Sequence, residues 1–200
     1  MFALKYELYK MELKENYQLF LKKLNQLGIN TTILDEKYGE LLTNAPFSTN
    51  QDSGLAFQGA LIYTLLYKLT PYAVRLNESF PSELRVDKAT LVKVCLLHQI
   101  AKSVRLVPND NEWEVSKRGM LYVYAKDNPS IRNGLHSLVI AQNCGITFTE
   151  EEAEAMTIND RDLSETQARF HASVLASIVR MANEMTYLEM INITKEKKIK

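Results

Sequence analysis

One histidine of this chain stands where imidazole chemistry is conceivable. His98 ends an apolar run, Gln99 follows it directly, and Lys102 comes four residues after it. An imidazole can bind a metal, transfer a proton or form hydrogen bonds within a core. The apolar surroundings favour the core role for His98, with metal binding or general-base catalysis as the alternatives. We expect the other two histidines, His136 and His171, at the surface or in a groove.

The sequence lacks the other common catalytic and binding patterns. It contains no Gly-x-Ser-x-Gly nucleophile motif, no phosphate-binding glycine loop and no dinucleotide-binding glycine pattern. Cys95 and Cys144 both lie in apolar segments and form no CxxC pattern for a metal. Lys plus Arg equals Asp plus Glu at 24 each, so the net charge gives no signal for nucleic acid.

The composition also bears on the compartment. The first ten residues are too charged for a secretory signal, and no stretch approaches the roughly 18 apolar residues that a membrane span needs. Two lone thiols in apolar segments suit a reducing environment. We therefore expect a cytoplasmic protein without membrane association.

Helical periodicity dominates the N-terminal half. Apolar residues recur at three- and four-residue spacing in the first segment, and two later segments are apolar on nearly every face, which is typical of buried helices. The predicted elements are a helix over 2–27 ended by Gly28, a helix over 35–42, a loop over 43–53, a helix over 54–69 broken by Thr70-Pro71, and a helix over 86–104.

The C-terminal half combines one hairpin with further helices. Trp113 and Val115 alternate with polar residues, which predicts a β-hairpin over 112–125 that turns at Arg118-Gly119. Helices are expected elsewhere: over 134–144 ended by Gly145, from Thr149 with a capping box to Glu152, and from Ser164 with Gln167 at the same spacing to Glu189.

These elements predict an all-α fold, a helical bundle with a small β-hairpin insertion. We expect an N-terminal helical segment, 1–42, packed on a core domain over 43–190, and a basic, solvated tail over 191–200. The first helix carries more aromatic residues than the coverage of one core needs, which makes a homodimer plausible.

Segment 91–102, LVKVCLLHQIAK, resembles the core helix of the HD-domain superfamily. In that family an apolar run leads into His-Asp, two small or apolar residues and then Lys. Five other segments of the chain are similar to further family motifs, in the same order and at comparable spacing. These segments are 45–49, 55–65, 133–137, 150–159 and 181–185. The resemblance covers residues 43–190 and implies an HD-domain or PDEase-like helical bundle.

In that family, histidines and carboxylates from separate helices hold divalent metals that activate water for phosphoester hydrolysis. At the corresponding positions this chain keeps His98, and the remaining ligand positions carry uncharged polar side chains. Lys102 matches the family's lysine. The resemblance thus implies a remnant pocket without metal-binding or catalytic residues, formed by Thr64, His98, Gln99, Lys102, Asn133, Asn159 and Asn183.

The leading hypothesis is a non-catalytic HD-domain-like protein, a pseudoenzyme that needs no cofactor and acts as a ligand-binding or interaction module. Its pocket would accept a small polar or phosphorylated ligand. The alternative is a metal-dependent phosphohydrolase of nucleotides or phosphomonoesters, with a weak divalent-metal site rebuilt around His98 from Asp52, Asp160 or Asp162. A third reading is a partner-binding protein whose pocket is filled by side chains.

Overall fold

The computed structural model describes the backbone of residues 2–160 and 172–199 and the side chains of residues 12–160 and 172–191. The fold is all-α with a small two-stranded antiparallel sheet, as predicted. In chain order the elements are α1 (Phe2–Gln26), α2 (Thr32–Asn44), α3 (Ala60–Thr64), a π-helical turn (Leu65–Leu69), α4 (Thr70–Ser79), α5 (Lys88–Leu97), α6 (Lys102–Arg105), β1 (Leu106–Pro108), α7 (Glu112–Arg118), β2 (Tyr122–Tyr124), α8 (Asn133–Asn143), α9 (Glu150–Thr157) and α10 (Val174–Ile199).

Several helix ends follow the local rules that predicted them. Gly28 takes a φ of 77° just after α1, the left-handed conformation that ends a helix without steric cost. At the start of α9 the Thr149 hydroxyl accepts the Glu152 N–H, and the Glu152 carboxylate accepts the Thr149 N–H, so the predicted capping box is confirmed.

The helix predicted over 54–69 is wrong at both ends. It begins only at Ala60, because the Leu55 carbonyl accepts the N–H groups of Phe47 and Ser48 instead of starting a helix. It also runs through Pro71, whose ring would clash with the carbonyl four residues earlier in a regular α-helix. The π turn removes that conflict: the Thr70 N–H donates to the carbonyl five residues back, and the wider turn accommodates the proline.

The helix predicted over 86–104 is shorter and interrupted. α5 ends at Leu97, and residues 98–101 form a turn before α6 begins. In that turn the Ala101 N–H donates to the Ser137 hydroxyl (3.0 Å), and the Ile100 and Lys102 N–H groups donate to carbonyls only three residues back. Because these donors leave the regular α-helical pattern, the chain can change direction directly after His98.

The hairpin is present, but the prediction placed its first strand wrongly. Residues 112–118 form α7, because the Asn111 side chain accepts the N–H groups of Trp113 and Glu114 and caps a helix there. The first strand is β1, which pairs antiparallel with β2 in the register Val107 opposite Val123. α7 is therefore an insertion between two paired strands, with Gly119 at its end.

The last helix is longer than predicted. α10 continues as helix to Ile199, beyond its predicted end at Glu189. Its predicted start at Ser164, with Gln167, lies outside the described residues.

The core is built from the inward faces of the helices. α1 and α2 contribute fully buried residues to the same cluster as α5 and the π turn, so the N-terminal segment packs on the rest of the chain. In the described part of the chain, none of the helices has the length and apolar character needed to cross a bilayer. Representative core residues are Phe20, Leu24, Leu34, Leu42, Leu65, Leu91 and Leu96, each without measurable exposure.

Candidate functional site

The seven residues of the predicted pocket lie in the interior or at its margin. Thr64 and His98 are fully buried, and Gln99 and Asn183 retain 6% and 9% exposure. Lys102, Asn133 and Asn159 are half-buried. They come from different elements, but those elements are neighbours: α10, which carries Asn183, packs against α5, the π turn and the turn Ile158–Asp160.

The His98 ring has a defined protonation pattern. Its Nδ1 lies 3.1 Å from the Cys95 carbonyl, which can only accept, so Nδ1 carries the proton. The lone pair is then on Nε2, which is buried and finds no hydrogen-bond partner among the described residues. Burial lowers the pKa of His98 to about 4, and the charge of Lys102 acts in the same direction. His98 is therefore a neutral imidazole with an open acceptor.

Gln99 and Asn133 are the pair that the structure brings into direct contact. The Asn133 amide donates to the Gln99 Oε1 at 2.7 Å and so joins the turn after α5 to the start of α8. The next residue, Gly134, packs tightly: an added Cβ would meet the Met156 carbonyl oxygen and, at 2.8 Å, an oxygen of Asp160. A neutral amide hydrogen bond thus joins two positions that the HD-domain resemblance aligns with metal ligands.

Of the nine buried side-chain polar atoms that have no partner among the described residues, five lie at the predicted positions. Buried polar groups in folded proteins almost always have hydrogen-bond partners, so each exception calls for an explanation. Within the described residues, five of the seven positions have one buried polar atom without a partner, and none of the five atoms carries a charge: Thr64 Oγ1, His98 Nε2, Asn133 Oδ1, Asn159 Nδ2 and Asn183 Oδ1.

The Lys102 ammonium is bound by groups of the protein itself, which does not favour a role in binding an anion. Its Nζ donates to the Phe47 carbonyl (2.7 Å) and to the Tyr187 hydroxyl (3.0 Å), and it lies 3.4 Å from the centroid of the Phe47 ring. Burial lowers the pKa of Lys102 to about 7, although a carbonyl acceptor and an aromatic face both favour the ammonium form. Burial also raises the pKa of Tyr187.

Phe47 and Tyr187 are neighbours of this site that were not predicted. Tyr187 had a usable signal, because it lies four residues after Asn183 and so shares its helix face. Phe47 lies in segment 45–49, which is similar to a family motif, but no local pattern indicated that this loop contacts Lys102. His136 is half-buried as expected, and burial, with the nearby Arg105, lowers its pKa. His171 lies outside the described residues.

The donor set does not suit a divalent metal. Among the described residues no group of three or more His, Cys, Asp and Glu side chains is placed to hold one. Asp160, a candidate replacement ligand, uses both carboxylate oxygens on the N–H groups of Gly134 (2.9 Å) and Leu135 (2.8 Å) at the start of α8. Asp52 is exposed on the turn Gln51–Ser53, which packs against α10, and Asp162 lies outside the described residues.

No protein-family model, no curated protein and no solved structure matches the chain. The resemblance to the HD-domain superfamily therefore rests on the sequence motifs themselves.

Proposed function

We propose that this chain is a non-catalytic HD-domain-like protein that acts as a ligand-binding or interaction module. One observation carries the proposal. The residues at the family's ligand positions lie in neighbouring elements, are buried or half-buried, and offer only uncharged polar atoms, of which five have no partner among the described residues. These groups can bind water or a polar molecule through hydrogen bonds, but they do not balance the charge of a divalent cation.

The chemistry of the cluster supports an uncharged ligand over a phosphorylated one. His98 presents a lone pair, and amide side chains can offer either a donor or an acceptor. A phosphate brings only acceptor oxygens and negative charge, and it needs cations or several N–H donors. Lys102, the nearest cation in the motif, already serves the Phe47 carbonyl and Tyr187.

The alternative, a phosphohydrolase with a rebuilt metal site, requires a carboxylate near His98. Among the described residues, one candidate is Asp160, which lies beside Asn159. Its two carboxylate oxygens accept N–H groups at the start of α8. Recruiting it as a metal ligand would leave two N–H groups at the helix start without their acceptor. This cost favours the non-catalytic reading.

Metal retention tests the proposal. The wild-type protein is incubated with manganese, nickel and zinc, desalted and analysed for metal content, beside a variant that restores the family's carboxylates, Gln99→Asp with Asn183→Asp. We expect no near-stoichiometric metal in the wild type and a gain in the double variant. A matched control changes two amides elsewhere, Asn30→Asp with Gln18→Asp, and should gain none.

Each result has a distinct meaning. Metal bound firmly by the wild type, together with phosphatase activity that His98→Ala abolishes, would establish the hydrolase alternative. A double variant that folds normally by circular dichroism yet binds no metal would show that these positions do not converge as in the HD-domain family.

A further inference from the structure

A groove of about 560 Å³ lies between α2 and the hairpin, and its lining includes none of the seven residues of the predicted pocket. Its walls come from α2, from the loop at Ala45 and Pro46, from α6 and from β1 and β2. A concave site of this size with mostly apolar walls is the usual form of a binding site in a protein of this length. We call it the α2–β1 groove.

Exposed aliphatic side chains line the α2–β1 groove on two sides. Leu41 from α2 is 46% exposed and Val107 from β1 is 37% exposed, and both line the groove. Pro46 and Leu106 are buried beneath them. Covering this surface would remove apolar area from water.

Within the described residues, the polar rim of the groove carries one charge, which is negative. The Gln58 amide donates to the Asn44 Oδ1 (2.7 Å), and the Asn44 amide donates to the Glu40 carbonyl (2.8 Å), so both amides already use a donor within the protein. Glu40 is exposed, and it is the one charged side chain among the described residues of the lining. The groove therefore combines apolar walls with a negative rim.

The edge of β1 that faces away from β2 also favours a ligand with hydrogen-bond donors or a positive charge. The bonds that join Arg105 to Ala125 and Asn109 to Leu121 place the N–H and carbonyl groups of residues 106 and 108 on the side away from β2. The Leu106 N–H is used by the Lys102 carbonyl, and Pro108 has no N–H. The edge thus offers carbonyl acceptors without matching donors, which also prevents regular addition of another strand.

We propose that the α2–β1 groove binds an extended segment of a partner protein that presents an aliphatic side chain together with lysine or arginine. The aliphatic group would lie between Leu41 and Val107, and the cationic group would meet Glu40 and the carbonyl edge of β1. The bond from Lys102 to the Phe47 carbonyl holds the loop that carries Pro46, so the wall is formed before binding. This site goes beyond the proposed function and does not depend on the HD-domain resemblance.

Binding of designed peptides tests this site. The probes are a short fluorescein-labelled peptide of alternating leucine and lysine, a leucine–glutamate counterpart and a serine–lysine counterpart, measured by fluorescence anisotropy. We expect the leucine–lysine peptide to bind at least about tenfold more tightly than either counterpart, since it alone supplies both apolar and cationic groups.

Substitutions in the α2–β1 groove test whether the peptide binds there. Leu41→Ser and Glu40→Gln should each weaken binding of the leucine–lysine peptide by about threefold or more, because they remove the wall and the rim charge separately. The matched control is Leu84→Ser, which changes a leucine of similar exposure (48%) outside the groove lining and should leave affinity unchanged. Urea unfolding of each variant confirms that it is folded.

Three outcomes would overturn the proposal: no binding of the leucine–lysine peptide, equal binding of the leucine–glutamate peptide, or unchanged binding in both groove variants. The probes contain neither phosphate nor metal. Failure here therefore leaves the proposed function standing, and metal retention by the wild type would leave the groove unaffected.

Discussion

The Lys102 ammonium contacts Phe47 twice, with a 2.7 Å hydrogen bond to its carbonyl oxygen and a 3.4 Å approach to the centroid of its ring. These residues are separated by 55 positions in the chain. No carboxylate among the described residues lies within ion-pair distance of this ammonium. A cation is thus held by a carbonyl, a hydroxyl and aromatic faces, which joins the loop before α3 to the turn after α5 and to α10.

The burial of Lys102 predicts a pH-dependent stability. Its pKa is lowered to about 7 in the folded protein from 10.5, so between these values the unfolded chain binds more protons than the folded one. Stability therefore rises with pH above about 7, at no more than about 1.4 kcal/mol per pH unit from this group. We expect this rise in urea unfolding of the wild type and its absence in Lys102→Met, which keeps the packing volume.

Comparing the pH dependence of stability between the wild type and Lys102→Met isolates the contribution of Lys102, because every other group titrates in both proteins. Burial raises the pKa of Cys95, and ionisation of this thiol in the unfolded chain lowers stability at still higher pH, again in both proteins. Parallel stability curves for wild type and Lys102→Met would show that the Phe47 carbonyl and ring keep Lys102 charged throughout this range.

His98 predicts a second pH dependence, in the acid range. Burial lowers its pKa from 6.5 to about 4, so the unfolded chain takes up a proton in this interval while the folded protein does not. Stability should fall as the pH drops from about 6.5 towards 4, by up to about 1.4 kcal/mol per pH unit. The measurement is urea unfolding of the wild type against His98→Gln, with carboxylate effects common to both.

NMR titration of the His98 ring supplies an independent check. The ring should stay neutral at pH 6, and removal of the neighbouring charge in Lys102→Met should raise its pKa, since that charge lowers it. A His98 ring that protonates with an ordinary pKa of about 6.5 would mean that solvent reaches it.

An ion pair between α5 and α9 predicts a large mutational effect. Lys93 Nζ lies 2.7 and 2.9 Å from the two Glu152 oxygens, and the side chains are only 16% and 7% exposed. Glu152 also completes the cap with Thr149. Glu152→Ala should cost about 3 kcal/mol, because it removes the carboxylate from a nearly buried ammonium that then keeps only the Thr147 carbonyl and the Phe148 ring.

Glu152→Gln separates the two roles of Glu152. An amide oxygen still accepts the Thr149 N–H, so this variant should lose less stability than Glu152→Ala. Urea midpoints at constant m-value give both numbers. A cost below about 1 kcal/mol for the alanine variant would place the pair among solvated surface ion pairs.

The fold was predictable wherever local signals act alone. The glycine after α1 and the capping box of α9 depend on neighbours in sequence, and both were predicted correctly. The errors arose where distant groups decide: the Ser137 hydroxyl that diverts the Ala101 N–H lies 36 residues away, and apolar periodicity contains no trace of it. Asn111 caps α7, a signal that the hairpin prediction from the alternation around Trp113 did not consider.

The burial of several polar residues agrees with the sequence, whereas the site that they would form stays a prediction. The family motif indicated interior polar residues, and the structure places Thr64, His98, Gln99 and Asn183 in the interior. The contacts of Lys102 were not predicted: Tyr187 shares a helix face with Asn183, but no pattern pairs it with a lysine 85 residues earlier in the chain. Contacts across such separations depend on tertiary packing, which no single-sequence pattern specifies.

Substitution of Gly59 by alanine should cause a packing defect, and comparison with Gly28 separates this defect from backbone strain. Its φ is 79°, close to the 77° of Gly28, so alanine costs similar strain at both positions, about 1–2 kcal/mol. A Cβ at Gly59 would also collide with the Leu13 Cδ2, whereas nothing lies within 4 Å of a Cβ at Gly28. We expect Gly59→Ala to cost about 1–3 kcal/mol more than Gly28→Ala in urea unfolding. Leu13→Ala combined with Gly59→Ala should then cost less than the sum of the single changes, since the shorter side chain relieves the collision. Strictly additive free energies would contradict the packing of α1 against the start of α3.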